Sequence, residues 1–218
     1  MNPEKLHEVI KFVKHSKNEI RKEALSIIAM VAQNNPKGKK NLVQTGGLVA
    51  VIFNLRNEEE EEVLAKSVYA FSALVKHDSV VQDMVIKMNG FEALIGLLSE
   101  KRVHGDGIKM KILFLLNRML DENTHKWAKY FSKFELFKVI SDIFDNFSAE
   151  TSLDLFDKSL SILDSLFNFI GDDESKKTIE SHFKESLPKL ELILSKQNKK
   201  DNEEVKKMLS KIKKFKKF

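Results

Sequence analysis

The sequence has 218 residues, 42% of them hydrophobic, so it is long enough to bury a sizeable core, and its eight glycines and three prolines are too few for a disordered chain. It has no cysteine, which excludes disulfides, thiolate catalysis and zinc bound by cysteine. The net charge of +5 arises in residues 199–218, whose nine lysines and three acids give +6 and leave the remainder at −1. A nucleic-acid-binding domain would spread its basic residues over the folded surface, so we expect no nucleic acid as partner.

Neither a membrane span nor a signal peptide is recognisable. No stretch approaches the ~20 apolar residues that a bilayer span requires, and the beginning, MNPEKLHEVIKF, lacks the charged-then-apolar layout of a signal peptide. Strand signals, such as Asn-Gly between alternating apolar residues, are nearly absent. We therefore expect a soluble all-α protein of the cytoplasm, with the nucleus as a second location, that makes no contact with a membrane.

Four long amphipathic helices are predicted, beginning near residues 19, 62, 107 and 155. Apolar side chains recur on one face of each at helical spacing, and each face is predicted to be buried. In the first helix this face is Ile20, Ala24, Ile27, Ile28 and Val31. The corresponding residues of the other three helices are Val63, Ser67, Ala70, Phe71 and Leu74; Ile108, Ile112, Leu115, Leu116 and Met119; and Leu155, Ser159, Ile162, Leu163 and Leu166.

A shorter helix also repeats. The segments QTGGLVAVIFNL, from Gln44, and KMNGFEALIGLL, from Lys87, carry a glycine and then apolar residues in the same rhythm, 43 residues apart. We predict that the shared glycine, Gly47 or Gly90, lies where one helix ends with a positive φ angle. The apolar faces are Leu48, Val51, Ile52 and Leu55; Phe91, Leu94, Ile95 and Leu98; a weaker third copy at Leu136, Val139, Ile140 and Ile143; and a faint fourth, LPKLELIL, at 187–194.

Each repeat thus combines a connecting, a medium and a long helix, with a period of 43 to 47 residues. This period is typical of armadillo and HEAT units, and three helices per unit favour armadillo. We predict an armadillo-like right-handed superhelix of about four three-helix repeats in residues 1–198, near 1–43, 44–86, 87–131 and 132–198. Residues 199–218 are predicted to form a lysine-rich C-terminal capping helix or tail. The alternative is an irregular helical bundle whose internal similarity is accidental.

The sequence offers no catalytic or metal site. Its glycines form neither GxxxxGK nor GxGxxG, and its six histidines show no metal-ligand spacing. We therefore expect no enzyme, no cofactor, no metal and no small-molecule substrate. The acidic run EEEEE at 58–62 is interpreted as a solvated helix start. Trp127 is interpreted as a packing residue, with a partner anchor as the alternative.

The lysine-rich ending has two interpretations. Met208, Leu209, Ile212 and Phe215 share one helical face, so the segment is expected to cap the helix stack with a basic outer surface. Nuclear import, RNA binding and attachment to an anionic membrane are the alternatives for this segment.

The inward-facing polar row of the long helices is the predicted partner-binding surface. Armadillo receptors of extended peptides usually present Trp and Asn in this row, but the corresponding pairs here are Ser26/Met30, Tyr69/Ala73 and Phe114/Arg118, with Ser161 and Ser165 on the last helix. A folded partner is therefore expected rather than an extended peptide. The predicted partner-binding residues are Lys22, Ser26, Met30, Gln33, Lys66, Tyr69, Ala73, Lys111, Phe114, Arg118, Lys158 and Ser161.

The segments EIRKEALSIIAMVAQNNPKGKKNLVQTGG and LAKSVYAFSALVKHDSVVQDMVIKMNGFEALIGLLSE, together with the spacing into GIKMKILFLLNRML, resemble the armadillo-type nucleotide exchange factors of heat-shock protein 70 chaperones. This family comprises the heat-shock-protein-70-binding protein, the Fes-type factors and the lumenal Sil-type factors. The resemblance is clear over about 19–123. It implies a chaperone cofactor that grips one lobe of the chaperone's ATPase domain through its concave face and promotes ADP release, and we expect the protein to be a monomer.

The resemblance also implies a departure. The family has a further helical arm before the segment that resembles NPEKLHEVIKFVKHS, and this sequence starts at that segment. We expect either a piece or short form of such a factor, or one that binds its chaperone more weakly or differently. The alternative function is an armadillo scaffold or cargo adaptor whose basic tail provides nuclear or RNA attachment.

Overall fold

A computed structural model describes residues 3–99, 103, 105–132, 136–146, 152–169, 177, 183–184, 186–197 and 203–215. These residues form α-helices and short connections, with no strand among them. The chain divides into two compact units, Met1–Ile112 and Leu113–Phe218. The predicted all-α class is confirmed.

The helices follow one another with short corners. The first unit contains α1 (Pro3–Lys11), a 3-10 helix (Phe12–Lys14), α2 (Asn18–Ala32), α3 (Pro36–Gln44), α4 (Gly47–Asn57), α5 (Glu61–Val75), α6 (Ser79–Lys87) and α7 (Gly90–Gly96). Helix α8 (Asp106–Glu122) begins in the first unit and ends in the second. The second unit continues with α9 (Thr124–Phe131), α10 (Leu136–Asp145), α11 (Leu153–Phe169), α12 (Ser186–Gln197) and α13 (Glu203–Phe215).

The predicted order of a connecting, a medium and a long helix is present in α3 to α5 and in α9 to α11, whereas in α6 to α8 the middle helix is shorter than the connecting one. The lengths are 9, 11 and 15 residues for α3 to α5; 9, 7 and 17 for α6 to α8; and 8, 10 and 17 for α9 to α11. A helix of this length cannot bury its apolar stripe alone. In the first triplet α3 packs on α4 and α4 on α5, and in the third α9 and α10 both pack on α11.

The predicted core faces of α5, α8 and α11 are correct, because all fifteen named side chains are buried. Two of them are serines, whose hydroxyl groups donate to the carbonyl four residues earlier: Ser67 to Val63 at 3.1 Å and Ser159 to Leu155 at 2.8 Å. This local bond satisfies the hydroxyl inside the core. Ser67 also accepts a bond from the buried Asn54 side chain at 3.2 Å, which joins α4 to α5.

The predicted core face of α2 is only partly correct. Ala24 and Ile28 are buried, but Ile20, Ile27 and Val31 are half-buried. The buried positions that the prediction missed are Leu25, Ala29 and Ala32. Two of the three missed positions are alanines, small residues that let a neighbouring helix approach closely, and α2 packs mainly against α5.

The apolar faces of the shorter helices are buried as predicted in the first two copies. In the third copy Leu136, Ile140 and Ile143 are buried and Val139 is half-buried. In the fourth, within α12, Leu190 and Leu194 are buried, while the side chain of Leu187 lies outside the described residues.

The role predicted for the repeated glycine is wrong at Gly47 and Gly90. Each of these is the first residue of its helix, and the positive φ belongs to the residue before it, Gly46 at 88° and Asn89 at 51°. Gly90 is needed for space instead: a Cβ there would lie 2.7 Å from Val85 Cγ1 and 3.0 Å from a side-chain carbon of Ile52. The glycine thus permits close packing of the helix start.

The corners before α3, α6 and α9 repeat a helix cap. The side-chain oxygens of Asn35, Asp78 and Asn123 accept bonds of 2.9, 3.1 and 3.0 Å from backbone N–H groups three residues later. At the first two corners the preceding residues, Asn34 and His77, adopt the left-handed conformation with φ of 51° and 57°. Because these caps satisfy exposed donors of a helix start, the corners are tightly defined.

The acidic run at 58–62 is not simply solvated. Glu58 is buried and makes a two-pronged ion pair with Arg21, with Nε–Oε2 at 2.8 Å and Nη2–Oε1 at 2.9 Å. Glu61 accepts a bond from the backbone N–H of Gly105 at 3.0 Å. Glu59 and Glu60 are exposed, as a solvated helix start requires. The interpretation is wrong for Glu58, because that side chain is buried in an ion pair.

Trp127 is a core residue of the second unit. Its side chain is 1% exposed and stacks on Phe131, with ring centroids 5.5 Å apart. The interpretation as a packing residue is confirmed, and a partner anchor is excluded by this burial.

Helix α13 occupies most of the lysine-rich ending. It buries Val205, Met208 and Ile212, while Leu209 is half-buried and the side chain of Phe215 lies outside the described residues. Such packing is what a capping helix requires, although the division of the chain at residue 198 stays a prediction. Among the described helices, none is long and apolar enough to cross a membrane.

Candidate partner-binding surface

The first unit presents the predicted row on α2 and α5, the two long helices that pack side by side. Met30 of α2 and Tyr69 of α5 have exposed fractions of 63% and 42%. Ser26 and Ala73 are half-buried, and Gln33 is exposed. Large side chains that remain exposed on one face of a helix pair do not belong to the core, and they are suited to contact with a partner.

Two contacts cross from α2 to α5 within this row. The Lys22 ammonium pairs with the Glu62 carboxylate at 2.5 Å, and the Tyr69 hydroxyl donates to Gln33 Oε1 at 3.1 Å. The hydrogen bond from Lys22 lowers the pKa of Glu62 below its ordinary value, and the same bond raises the pKa of Lys22. Lys22 therefore stays protonated, with its charge paired to Glu62 of the same row. The hydrogen bond to Gln33 holds the tyrosine ring in place.

Lys66 and Lys111 are the cations of the first unit that stay available on this row. Both side chains are exposed, and neither makes an ion pair within the part of the chain that the structure describes. They provide positive charge that a partner carrying acidic groups could neutralise.

The second unit carries the remaining predicted residues. Phe114 is 47% exposed, and the Arg118 side chain is 46% exposed with Asp121 at 3.9 Å. Lys158 is half-buried and lies 3.6 Å from Asp157.

Ser161 is engaged within the chain. Its hydroxyl donates to the Asp157 carbonyl at 2.9 Å and accepts from Lys211 of α13 at 2.9 Å. All twelve predicted side chains are at least partly exposed, and Ser161 is bonded to Lys211 of α13. Their role in binding stays a prediction.

A cleft of about 500 Å³ lies beside this row in the first unit. It opens where α2 and α5 end, against the corners that lead into α3 and α6. Its walls include the predicted residues Gln33, Tyr69 and Ala73, and its other lining residues are Asn34, Asn35, Pro36, Lys39, Ser72, Lys76, His77 and Asp78.

Sequence reasoning missed this cleft, although a signal for it exists. The corners NNPK from Asn34 and HDSV from His77 occur 43 residues apart, the same period as the helices. Equivalent corners in adjacent repeats lie at the same end of the helix stack, so their side chains were candidates for a shared site. Among the described residues, no group of His, Asp and Glu could hold a metal ion.

Solved structures with a similar fold include designed armadillo repeat proteins. A designed armadillo repeat protein in complex with the peptide (KR)4 aligns with a TM-score of 0.69 and 18% identity, covering 96% of this chain and 81% of that one. A structure of the cadherin and beta-catenin interaction aligns with a TM-score of 0.67 and 17% identity, covering 97% of this chain and 38% of the other. At these identities the likeness shows the fold alone, which is armadillo-like as predicted.

The family is shown by sequence. Residues 4–136, more than half of the chain, match the model of the SIL1/FES1/HPBP1 C-terminal domain. The chain therefore belongs to this family, and the predicted resemblance is confirmed.

Curated relatives include proteins named Hsp70 nucleotide exchange factor FES1. The one from Kluyveromyces lactis is 25% identical over 167 residues, which are 74% of this chain and 56% of the relative. The one from Saccharomyces cerevisiae is 26% identical over 157 residues, which are 69% of this chain and 52% of the relative. The chain thus spans about half the length of the curated relatives it matches.

Proposed function

We propose that this chain is a nucleotide exchange factor of an Hsp70 chaperone, which binds the chaperone's ATPase domain and promotes release of ADP. The observation that carries this proposal is the family match over residues 4–136, together with relatives named as Hsp70 exchange factors. The protein acts by binding as a monomer, without catalytic chemistry of its own, and we place this activity in the cytoplasm.

The exposed row on the long helices supplies a binding surface of suitable chemistry. Met30, Tyr69 and Phe114 offer large apolar contacts, and aromatic side chains of this kind dominate the energetics of many interfaces. Lys66 and Lys111 add exposed positive charge on the helices that carry Tyr69 and Phe114, α5 and α8. A partner that fits this surface carries apolar side chains ringed by acidic groups.

Exchange follows if this surface binds the nucleotide-free conformation of the ATPase domain more tightly than the ADP-bound one. Thermodynamic linkage then requires that the protein weaken ADP binding by the same factor by which ADP weakens binding of the protein. A hundredfold effect corresponds to about 2.7 kcal/mol of differential binding. No contact between this chain and ADP is needed.

The test is the release of a fluorescent ADP analogue from a purified Hsp70 ATPase domain. We expect the release rate to rise with the concentration of this protein, and the affinity of the protein for the ATPase domain to fall when ADP is added. Binding that is indifferent to ADP, with an unchanged release rate, would remove the proposal.

A second candidate is a scaffold or cargo adaptor. The observation that favours it is the basic outer surface of α13, where Lys206, Lys207 and Lys213 are exposed beside the buried apolar face. If this candidate is right, the protein does not bind the Hsp70 ATPase domain. Substitutions that remove the charges of these three lysines then abolish binding to an acidic partner.

A further inference from the structure

We propose that Gln33 is a positioning residue for partner binding: by accepting a hydrogen bond from Tyr69 it holds the tyrosine ring, before any partner arrives, in one orientation on the surface of α2 and α5. The inference rests on the proposed function only in naming the Hsp70 ATPase domain as the partner that then covers the ring.

The tyrosine ring lies on an open part of the first unit. Tyr69 of α5 is 42% exposed, and Met30 of α2 is 63% exposed on the same predicted row. Large side chains exposed in this way are available to a partner. Tyrosine is also among the residues that contribute most to binding when an interface buries them. The orientation of this ring therefore matters for any protein that docks here.

A hydrogen bond joins the ring to the neighbouring helix. The Tyr69 hydroxyl donates to Gln33 Oε1 at 3.1 Å, between residues 36 positions apart. Gln33 is exposed and follows the last residue of α2, three residues after Met30. Its own backbone is fixed, because its N–H donates to the Ala29 carbonyl at 2.9 Å. The acceptor of the tyrosine hydroxyl thus stands on an anchored residue.

The helices that carry the two side chains are also tied to each other. Helix α2 packs mainly against α5, and Lys22 of α2 pairs with Glu62 of α5 at 2.5 Å. The backbones below Tyr69 and Gln33 therefore keep a constant separation. What remains variable is the rotation of the two side chains about their own torsion angles, and their hydrogen bond restricts that rotation.

The bond has an energetic consequence for binding. An exposed aromatic side chain without a partner changes rotamer within picoseconds to nanoseconds, and an interface that fixes it removes this freedom at a cost in affinity. A hydrogen bond of ordinary net strength favours the bonded rotamer over the others by about fivefold. The bond between Tyr69 and Gln33 therefore lowers the part of this cost that arises during binding.

The next long helix shows what the hydroxyl adds. The equivalent row position in α8, 45 residues later, is Phe114, which is also exposed but has no hydroxyl. An aromatic ring alone can supply apolar contact area. The hydroxyl of Tyr69 adds the bond to Gln33, and with it a fixed orientation of the ring.

The test removes either end of the bond and then both ends. Tyr69→Phe removes the donor, and Gln33→Met removes the acceptor while keeping the length of the side chain. Each variant should bind the Hsp70 ATPase domain about fivefold more weakly, or by about 1 kcal/mol, in isothermal titration calorimetry. The double variant should bind as weakly as either single variant, because both substitutions abolish the same bond. A loss of about 25-fold in the double variant would show two independent contacts and would overturn the inference.

The chain offers a matched control for each substitution. Tyr130→Phe removes the hydroxyl of the other tyrosine, and Gln44→Met replaces an exposed glutamine at the end of α3. Both variants should bind like the wild type. A thermal melt of every variant checks that the protein is folded, which we expect because Tyr69 and Gln33 are exposed.

A measurement without the partner tests the positioning itself. The sequence has two tyrosines, so their ring signals in a nuclear magnetic resonance spectrum can be assigned from the two Tyr→Phe variants. Carbon-13 relaxation should show an ordered Tyr69 ring in the wild type and in Gln33→Glu, which keeps an acceptor oxygen, and a more mobile ring in Gln33→Met. Equal mobility of the ring in the wild type and in Gln33→Met would overturn the inference.

The outcomes separate this inference from the proposed function. If the wild type speeds ADP release, but Tyr69→Phe and Gln33→Met bind the ATPase domain as tightly as the wild type does, Gln33 has no positioning role and the exchange function stands. If the wild type does not bind the ATPase domain, the exchange function fails, and the mobility of the ring in the unbound protein decides whether Gln33 positions it.

Discussion

At the scale of residues, the pair of Arg21 and Glu58 in the first unit combines an ion pair with hydrogen bonds to the backbone. The Arg21 guanidinium donates to both carboxylate oxygens and, through Nη1, to the carbonyls of His15 and Ser16 at 2.9 and 3.2 Å. The pair thus joins the start of α2 to the corner before α5. Both side chains are largely shielded from water, at 14% and 6% exposure.

We predict that Glu58→Gln lowers the free energy of unfolding by about 3 kcal/mol, because it leaves the guanidinium charge without its counter-charge in a shielded site. Urea-induced unfolding followed by circular dichroism measures this change. Glu59→Gln, at the exposed neighbouring position, should alter the free energy by less than about 0.5 kcal/mol. Equal effects of the two substitutions would show that the pair contributes little.

The sequence could not separate Glu58 from the other four acids of its run. All five have the same chemistry, and the favourable interaction of acids with a helix start applies to each of them. What distinguishes Glu58 is the position of Arg21, 37 residues earlier, which only tertiary packing brings within reach. The exposed positions of Met30, Tyr69 and Phe114 were predictable, because they fall between apolar stripes of known period.

At the scale of elements, the start of α7 depends on the absence of a side chain at Gly90. An added methyl group would press on Val85 of α6 and Ile52 of α4. The glycine therefore sets how closely three helices meet.

We predict that Gly90→Ala lowers the free energy of unfolding by about 2 kcal/mol through overpacking. In a Val85→Ala background the same substitution should cost clearly less, since the contact at 2.7 Å is with Val85 Cγ1. Gly107→Ala serves as the control, because a Cβ there meets nothing within 4 Å in the first turn of α8, and it should leave the stability unchanged or raise it by up to about 1 kcal/mol. An identical cost in both backgrounds would refute the packing explanation.

The sequence predicted the helices and their repeat well because apolar residues recur with a fixed period in α5, α8 and α11. It was only partly correct at α2, where it missed the buried Leu25, Ala29 and Ala32. Side-chain size is a poor guide where two helices approach closely, since the closest approach needs the smallest residues. The same reason explains Gly90, whose role depends on neighbours in two other helices.

At the scale of the whole molecule, each compact unit carries its own part of the predicted row, Met30 and Tyr69 in the first and Phe114 and Arg118 in the second. The exposed row could be predicted from the sequence, because burial follows the helical spacing of apolar residues. The cleft could not be predicted, because it depends on how two corners 43 residues apart are folded. It also could not show that α13 reaches Ser161 through Lys211.

We predict that Phe114→Ala combined with Arg118→Glu lowers the affinity for the Hsp70 ATPase domain at least about tenfold, because it removes an aromatic contact and reverses a charge on the row. Isothermal titration calorimetry measures the affinity, and a thermal melt checks that the variant is folded. Phe53→Ala combined with Lys40→Glu removes an exposed ring and reverses a charge elsewhere, on α4 and α3, and should bind like the wild type. Unchanged affinity of the first variant would show that the row is assigned wrongly.

The burial of Trp127 gives the protein an internal optical reporter. It is the only tryptophan in the sequence and belongs to the second unit, where its indole lies against Phe131. Indole emission therefore follows the second half of the chain, whereas far-ultraviolet dichroism follows every helix. Variants with substitutions in the first half, such as those at Glu58 and Gly90, can thus be unfolded while both signals are followed. The comparison shows whether dichroism and indole emission change together or one before the other.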